Sequence, residues 1–431
     1  MEYISIIVLL VVFVSLMAFG VPVAWSLGLS GFVTLLVTVT TVPAATTIAQ
    51  RMGTGLDSFA LLAIPFFVLA GEIMNRGGIA NRLIDLAKAL TGKLPGSLLY
   101  VNVIAAMLFG AIAGSAVAAA SAIGGILGPR MEKEGYPKEL GAAVNVTSST
   151  TGLIIPPSNI LIVYSLASGG VSIGALFIAG YVPGLLIGLF LMLTAAIFIK
   201  KHNLPAGETS SFREIGIKFF RALPSLMLLV IVIGGIVVGV FTATEASAIA
   251  VIYTLALSFF YRELKIKEVP AILLKSSETT AIVMLLIATS MSMSWVMSSE
   301  DIPQSISKAL LTLSDNKFVV LILINLILLF VGLFMDMTPA VLIFTPIFLP
   351  VVTSMGIDPI HFGIIMVTNL CIGVCTPPVG SVLFVGVGVA KTTIAKVFWP
   401  VVPFVLAMVL GLVIITLWPQ MVLWLPSLFG L

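Results

Sequence analysis

Long apolar runs recur along the whole chain, and the points at which they break are as regular as the runs themselves. Stretches such as Ile6–Gly20, Leu226–Val240 and Val401–Leu417 approach the roughly 20 apolar residues that cross a ~30 Å hydrocarbon core. From the amino end the pattern predicts spans at about 3–20 and 22–42, an amphipathic stretch to 56, and a span at 57–75. A polar amphipathic helix at 76–93 follows, with Arg82, Asp85 and Lys88 at helical spacing, which suggests a helix lying flat at a membrane surface. The stretch 99–130 is apolar but interrupted by Gly110, Gly114 and Ser115. Helical halves of about 12 residues are too short to cross, so a re-entrant hairpin is expected there. A span broken at 151–158 and a last span at 182–200 complete the unit.

The unit then repeats. Gly110, Pro129, Pro137, Gly141, Gly152, Pro156 and Pro157 are followed by Gly332, Pro350, Pro359, Gly363, Gly373, Pro377 and Pro378, each 221 or 222 positions later. Gly20 matches Gly239 at 219, and Pro183 matches Pro403 at 220. These are residues that govern backbone geometry, and a near-constant offset across them marks an internal repeat. Five crossings and a hairpin make an odd number, so the second copy is expected to enter the membrane upside down. The resulting divisions are scaffold spans at 1–56, a third span and amphipathic arm at 57–98, and a first transport part at 99–180. A last span with its linker at 181–223, scaffold spans and arm at 224–317, a second transport part at 318–396 and a terminal span at 397–431 follow. The expected fold class is an all-α polytopic membrane protein of two inverted-topology repeats, each with a re-entrant hairpin and a broken helix.

Composition supports a membrane solvent and charge supplies a direction. Apolar residues make up 60% of the 431, and only 9% are charged, against about 25% charged in a soluble domain. Glu2 and the lack of a basic leading region make the first run a retained span rather than a removed signal. In this topology Arg51, Lys308 and Lys317 fall on one face and the other eighteen of the 21 Lys and Arg on the opposite face. That face, which includes Lys200, Lys201, Arg213, Lys218 and Arg221 of the linker, is therefore cytoplasmic. A bacterial inner-membrane protein with both termini periplasmic is expected. The net charge of +3 orients the chain and gives no sign of nucleic-acid binding. Cys371 and Cys375 read as small buried hydrophobes, and His202 and His361 stand alone, so no metal cluster or catalytic centre is indicated.

Four segments concentrate the chemistry: GAIAGSAVAAAS (Gly110–Ser121), NVTSSTTGLIIPPSN (Asn145–Asn159), GLFMDMT (Gly332–Thr338) and NLCIGVCTPPVGS (Asn369–Ser381). Tandem prolines remove two backbone donors, and the glycine four residues earlier tolerates unwinding. Carbonyl oxygens freed in this way find no partner in hydrocarbon, but a hard cation such as sodium accepts them as ligands. Candidate sodium ligands are Ser115, Ser149, Thr151, Gly152, Gly332, Asp336, Thr338, Gly373 and Thr376. Candidate substrate contacts are Ser115, Asn145, Ser148, Pro156, Ser158, Thr376 and Ser381, beside half-helix N-termini that favour an anion. Against this, hydroxyls in membrane helices often bond carbonyls of their own helix. Asp336 is the most pointed residue, since an intramembrane carboxylate is costly. Glu72 and Glu245 read as interfacial.

At these motifs the chain resembles the large membrane subunit of tripartite ATP-independent periplasmic (TRAP) transporters, including the sialic-acid type. The resemblance rests on GSAVAAASAIG (Gly114–Gly124), MEKEGYPKELGAAV (Met131–Val144), SSTTGLIIPPSN, GVSIGALFIAGYVPG (Gly170–Gly184) and LAIPFFVLAGEIMNRGGIA (Leu62–Ala80). It implies an elevator mechanism, coupling to sodium ions, a small four-helix membrane subunit, and a soluble periplasmic protein that delivers a small carboxylate. Ala119 stands where such proteins carry an acidic residue, and Ala113 where they carry a hydroxyl. A sodium site at the first tip would then rely on Ser115 and backbone. The rival reading is a stand-alone sodium-coupled carboxylate carrier. A channel is disfavoured by the paired hairpins, and an enzyme by the lack of a His or Asp placed to activate Ser115.

Overall fold

The computed structural model describes residues 2–207, 211–314, 316–377 and 380–431. Pro378, the second half of the later Pro-Pro pair, and Val379 lie outside the described residues. Among the described residues every regular element is helical, and the single extended pairing is an isolated bridge between Pro95 and Ala206.

The first half contains α1 (Glu2–Ala18), α2 (Val23–Leu35), α3 (Thr41–Leu56), α4 (Ala63–Arg76) and α5 (Ile79–Thr91). A hairpin of α6 (Ser97–Ala113) and α7 (Ala116–Lys133) follows, then a bent rod of α8 (Lys138–Ser149), α9 (Thr151–Ile154) and α10 (Asn159–Ala167), and α11 (Ile173–His202). The second half opens with α12 (Phe212–Val237), α13 (Ala243–Phe260), α14 (Val269–Ser299) and α15 (Ile302–Leu313). It continues with a hairpin of α16 (Lys317–Gly332) and α17 (Met337–Ser354), the pair α18 (Pro359–Gly373) and α19 (Ser381–Val389), α20 (Ile394–Leu417) and a short α21 (Pro419–Leu428). Seven helices among the described residues are long and apolar enough to cross a membrane, or eight if the pair bent by 51° at residues 155–158 counts as one. Their outward faces are apolar: Val230 is 61% exposed and Trp399 75%, surface that water would penalise and lipid would not.

Local sequence accounts for the element ends. The Ser172 hydroxyl caps α11 by accepting from the Ala175 N–H at 3.3 Å. The Asp358 carboxylate caps α18 by accepting from the Ile360 N–H at 2.7 Å. Glu245 is a capping residue too: its carboxylate accepts from the Thr242 N–H at 2.8 Å and from the Thr242 hydroxyl at 2.9 Å, closing a capping box at the start of α13.

Three features differ from expectation. Hairpin arms α6 and α7 are 17 and 18 residues long, so length alone does not make them re-entrant. What sets the hairpin is the two-residue reversal Gly114–Ser115, with Gly114 left-handed at φ +61°. The second apolar run is cut short: α2 stops at Leu35 and the chain turns before α3 begins. Gly152 is helical and does not unwind. Its missing side chain instead lets α9 lie directly on α6, because a Cβ on Gly110 would come within 2.7 Å of the Gly152 Cα. The same arrangement occurs between α16 and α18, where a Cβ on Gly332 would lie 3.0 Å from the Gly373 Cα.

The halves also exchange partners. Half-helix α10 packs on α17 and α18, while α19 packs on α7 and α8. Span α11 lies against α18 and α20 against α8. The Tyr164 hydroxyl of α10 donates to the Pro359 carbonyl at 2.6 Å, and the Cys371 thiol donates to the Thr150 carbonyl at 3.4 Å, a pair 221 residues apart.

The close approach yields a stability prediction. Gly152→Ala forces the Gly110 backbone aside and should lower stability by about 2–3 kcal/mol. Gly125→Ala, in α7 with no heavy atom within 4 Å of the new methyl, should be neutral or raise it by roughly 0.5–1 kcal/mol. Thermal unfolding in detergent measures both, and equal midpoints would remove the packing account.

Candidate functional site

The two hairpin tips meet the two breaks in matching ways. At the first tip the Gly114 N–H donates to the Gly110 carbonyl at 2.8 Å. Ser115 then caps α7, its hydroxyl accepting from the Ala118 N–H at 3.3 Å. A Cβ on Gly114 would sit 3.2 Å from the Asn159 Nδ2, so this tip touches the first residue of α10. At the second tip Asp336 is the N-cap of α17, and its Oδ1 accepts from the Ser381 hydroxyl at 3.0 Å. Ser381 is the first residue of α19. Ser115 and Asp336 are 221 apart and Asn159 and Ser381 222 apart. Each tip therefore brings together the N-termini of two helices, α7 with α10 and α17 with α19, whose free N–H groups favour negative charge.

Both breaks carry polar networks in otherwise apolar surroundings. In the first, the Ser148 hydroxyl donates to the Asn102 Oδ1 at 2.9 Å. In the second, the Asn369 amide donates to the Asn325 Oδ1 at 2.8 Å and to the Asn325 carbonyl at 2.9 Å. Asn325 in turn donates to the Thr416 hydroxyl at 3.0 Å, which ties α16, α18 and α20 together. Ser148 and Asn369 stand 221 apart, each four residues before its packing glycine. Three buried oxygens at these places have no hydrogen-bond partner: Asn159 Oδ1, Thr368 Oγ1 and Asn369 Oδ1. A buried acceptor without a donor is costly, and a neutral donor, a water or a cation would each relieve it.

The structure separates the sequence-derived candidates. Ser115, Gly152, Gly332, Asp336, Gly373 and Ser381 gather at the tips and breaks. Ser149 and Thr376 donate to the carbonyls of Asn145 and Ile372, Thr151 to Ser148 at 2.6 Å, and Ser158 to Leu153 at 2.6 Å. Such hydroxyls keep acceptor lone pairs, so these bonds leave them able to face a cation. Pro156 is buried at the bend against α11, next to Gly180. Thr338 is half-buried in the first turn of α17. Asn145 adjoins the first network: its Oδ1 accepts from the Asn102 amide at 3.5 Å, its own amide donates to the Ala120 carbonyl at 2.8 Å, and it lines with Asn102 a cavity of about 220 Å³ near Lys138 and Lys391. Asp336 is exposed rather than buried. Ala113 and Ala119 are buried, Ala119 completely and beside Gly110, so a carboxylate in place of Ala119 would enter the contact between hairpin and break. Asn102, Asn159, Asn325, Thr368 and Asn369 are the site residues that sequence reasoning passed over. The signal was present for two of them, since Asn102 and Asn325 interrupt apolar helical runs.

This architecture is that of a membrane transporter. The fold is similar to that in the crystal structure of the Alcanivorax borkumensis YdaH transporter, with a TM-score of 0.67 and 14% identity over 87% of this chain and 88% of that one. Residues 10–421 match the family model for the tripartite ATP-independent periplasmic transporter, DctM component, and the chain belongs to that family. The Salmonella typhimurium protein YgiK is 55% identical over all of this chain and 99% of its own length. The C4-dicarboxylate TRAP transporter large permease protein DctM of Rhodobacter capsulatus is 39% identical over 97% and 98%. The sialic acid TRAP transporter large permease protein SiaM of Vibrio cholerae is 38% identical over 95% and 96%. The chain is thus a transporter permease and not an enzyme.

The buried network makes a prediction of its own. Asn325→Ala leaves Asn369 and Thr416 short of partners in the protein interior, which should cost about 1–3 kcal/mol of stability. Ser381→Ala removes an exposed hydrogen bond and should cost well under ~1 kcal/mol. Denaturation of the two variants side by side checks the ranking, and an equal loss would mean the network carries no weight.

Proposed function

We propose that this chain is the substrate-carrying subunit of a sodium-coupled uptake system for a small carboxylate, working by an elevator mechanism. The observation that carries this reading is the pair of tip-and-break clusters offset by 221–222 residues. An inverted repeat accounts for it: Cys371 bonds Thr150, its own counterpart, which is what residues beside a two-fold axis do. The exchanged packing of α10 with α19, and of α11 with α20, has the same symmetry. Inverted repeats with broken helices at their centre are how secondary carriers build a site reachable from either side. The hairpins, broken helices and last spans then form the moving body. Helices α1–α5 and α12–α15 form the scaffold, and both termini are periplasmic.

The residues present suit sodium. Asn369 Oδ1 and Thr368 Oγ1 at the second break, and the Asp336 carboxylate at the second tip, are the oxygen donors that the second half offers to a hard cation. In the first half Asn159 Oδ1, Ser115 and backbone carbonyls supply a neutral set. That imbalance assigns roles. Asp336 offsets the charge of a cation at the second tip, while the first tip, with two helix N-termini and no carboxylate, is left to favour the anion. Bound sodium would add positive charge beside an organic carboxylate and so link the two affinities. Sialic acid and C4-dicarboxylates are the leading substrate classes, and relatives bearing those names are about equally similar to the chain. The family reading adds a small four-helix membrane subunit and a periplasmic binding protein as partners.

Proteoliposomes containing the chain and its small subunit should accumulate labelled substrate only with an inward sodium gradient and the loaded binding protein. Asp336→Asn should raise the sodium concentration for half-maximal uptake by about tenfold, the equivalent of ~1.4 kcal/mol. Accumulation with sodium but no binding protein would make this a stand-alone carrier. Uptake indifferent to sodium would overturn the coupling.

A further inference from the structure

The amphipathic arm α5 packs on α12 and reaches, through Arg82, the residues just after α13, around a cavity of about 510 Å³ lined by Arg82, Asp85, Lys218, Arg221, Tyr261 and Glu263. Arg82 is fully engaged there. It donates to the Gly78 carbonyl at 2.8 Å, stacks 3.5 Å over the Tyr261 ring, and faces Glu263 at 3.9 Å. Lys218 is different: it is half-buried and, among the described residues, makes no ion pair, and neither does Arg221. Lys218 also faces a second cavity of about 630 Å³, which Arg130 of α7 lines. With Asp85 and Glu263 counted against Arg82, Lys218 and Arg221, the first cavity holds one uncompensated positive charge.

Its surroundings say what kind of anion would fill it. Phe220 is 70% exposed and Phe260 80% exposed at its rim. Phe260 closes α13 and Phe220 precedes the long apolar run of α12, both membrane-length helices, a position at which aromatic side chains meet the lipid headgroup region. Below the rim the exposed face of α12 continues with Met227 and Val230. A soluble anion would satisfy the cations but not that apolar surface. We infer that this cavity binds an anionic phospholipid, its phosphate on Lys218 and Arg221 and its acyl chains along Phe220, Phe260 and α12. Such a lipid would fix the arm helix to the first span of the second half and hold α5 at the membrane boundary.

The test is native mass spectrometry of the full chain in detergent with equal amounts of phosphatidylglycerol and phosphatidylcholine. The wild type should retain phosphatidylglycerol preferentially. Lys218→Gln and Arg221→Gln should each weaken that retention about fivefold, and the double variant about 25-fold, from ~1 kcal/mol per surface cation. Lys218→Arg should retain the lipid, which separates lost charge from lost folding, and Lys317→Gln, outside the cluster, should bind as the wild type does. Undiminished retention by the double variant would overturn the inference. Displacement by an equal concentration of sn-glycerol 3-phosphate would overturn it in favour of a free anion, and displacement by the small membrane subunit in favour of a protein partner.

Discussion

Backbone that leaves a helix inside hydrocarbon must find its hydrogen bonds within the protein, and that constraint organises this fold. The chain breaks a helix at its centre in each half, at residues 155–158 and after Gly373. Each break is covered by the tip of a hairpin. The cover works only because Gly110 lies on Gly152 and Gly332 on Gly373, bringing two helices to backbone contact. A single methyl at any of these four positions would hold the hairpin away and open the break to lipid or water. The matching asparagine networks, Asn102 with Ser148 and Asn325 with Asn369, then fix how each hairpin arm sits on its broken helix.

The halves share an order of helices and differ in detail. In the first, α3 and α4 are separated by a 3-10 turn at Phe59–Leu62, whereas α14 runs unbroken for 31 residues through the corresponding region. The tips differ by one charge, Ser115 against Asp336. The broken helices restart on an amide in one case, Asn159, and on a hydroxyl in the other, Ser381. A perfectly symmetric site would offer cation and anion the same surroundings twice. Here one tip is neutral and bounded by helix N-termini, and the other carries a carboxylate.

Much of this was legible in the sequence because glycine and proline act on the backbone, and backbone geometry is what a repeat preserves. The offset of 221–222 located both hairpins and both breaks without any knowledge of packing. What the glycines do was misread: Gly152 looks like a point of unwinding in one dimension and is a contact surface in three. The hydroxyl-rich run Thr147–Thr151 likewise shows which residues are polar, yet which carbonyl each hydroxyl meets depends on rotamer and helix phase. Asn369 and Thr368 were passed over because a buried acceptor without a donor is defined by its neighbours and not by its own type. The exchange of α10 and α19 between halves depends on how the two halves face each other, which no local pattern encodes. Asn145 stands out in the sequence as a polar residue, but only the fold shows that it joins α8 to both arms of the first hairpin, accepting from Asn102 and donating to Ala120.

The proposed elevator requires the two halves to lie in opposed orientation, because access to one central site from either side depends on it. Lys93 lies just before the first hairpin and Lys317 opens the second, and both are exposed. Single cysteines there, in a background with Cys371 and Cys375 replaced by alanine, can be labelled in intact cells with a maleimide that does not cross the inner membrane. Inversion predicts that Lys317→Cys is labelled from the periplasm while Lys93→Cys is labelled only after the membrane is permeabilised. Labelling of both from the same side would contradict it.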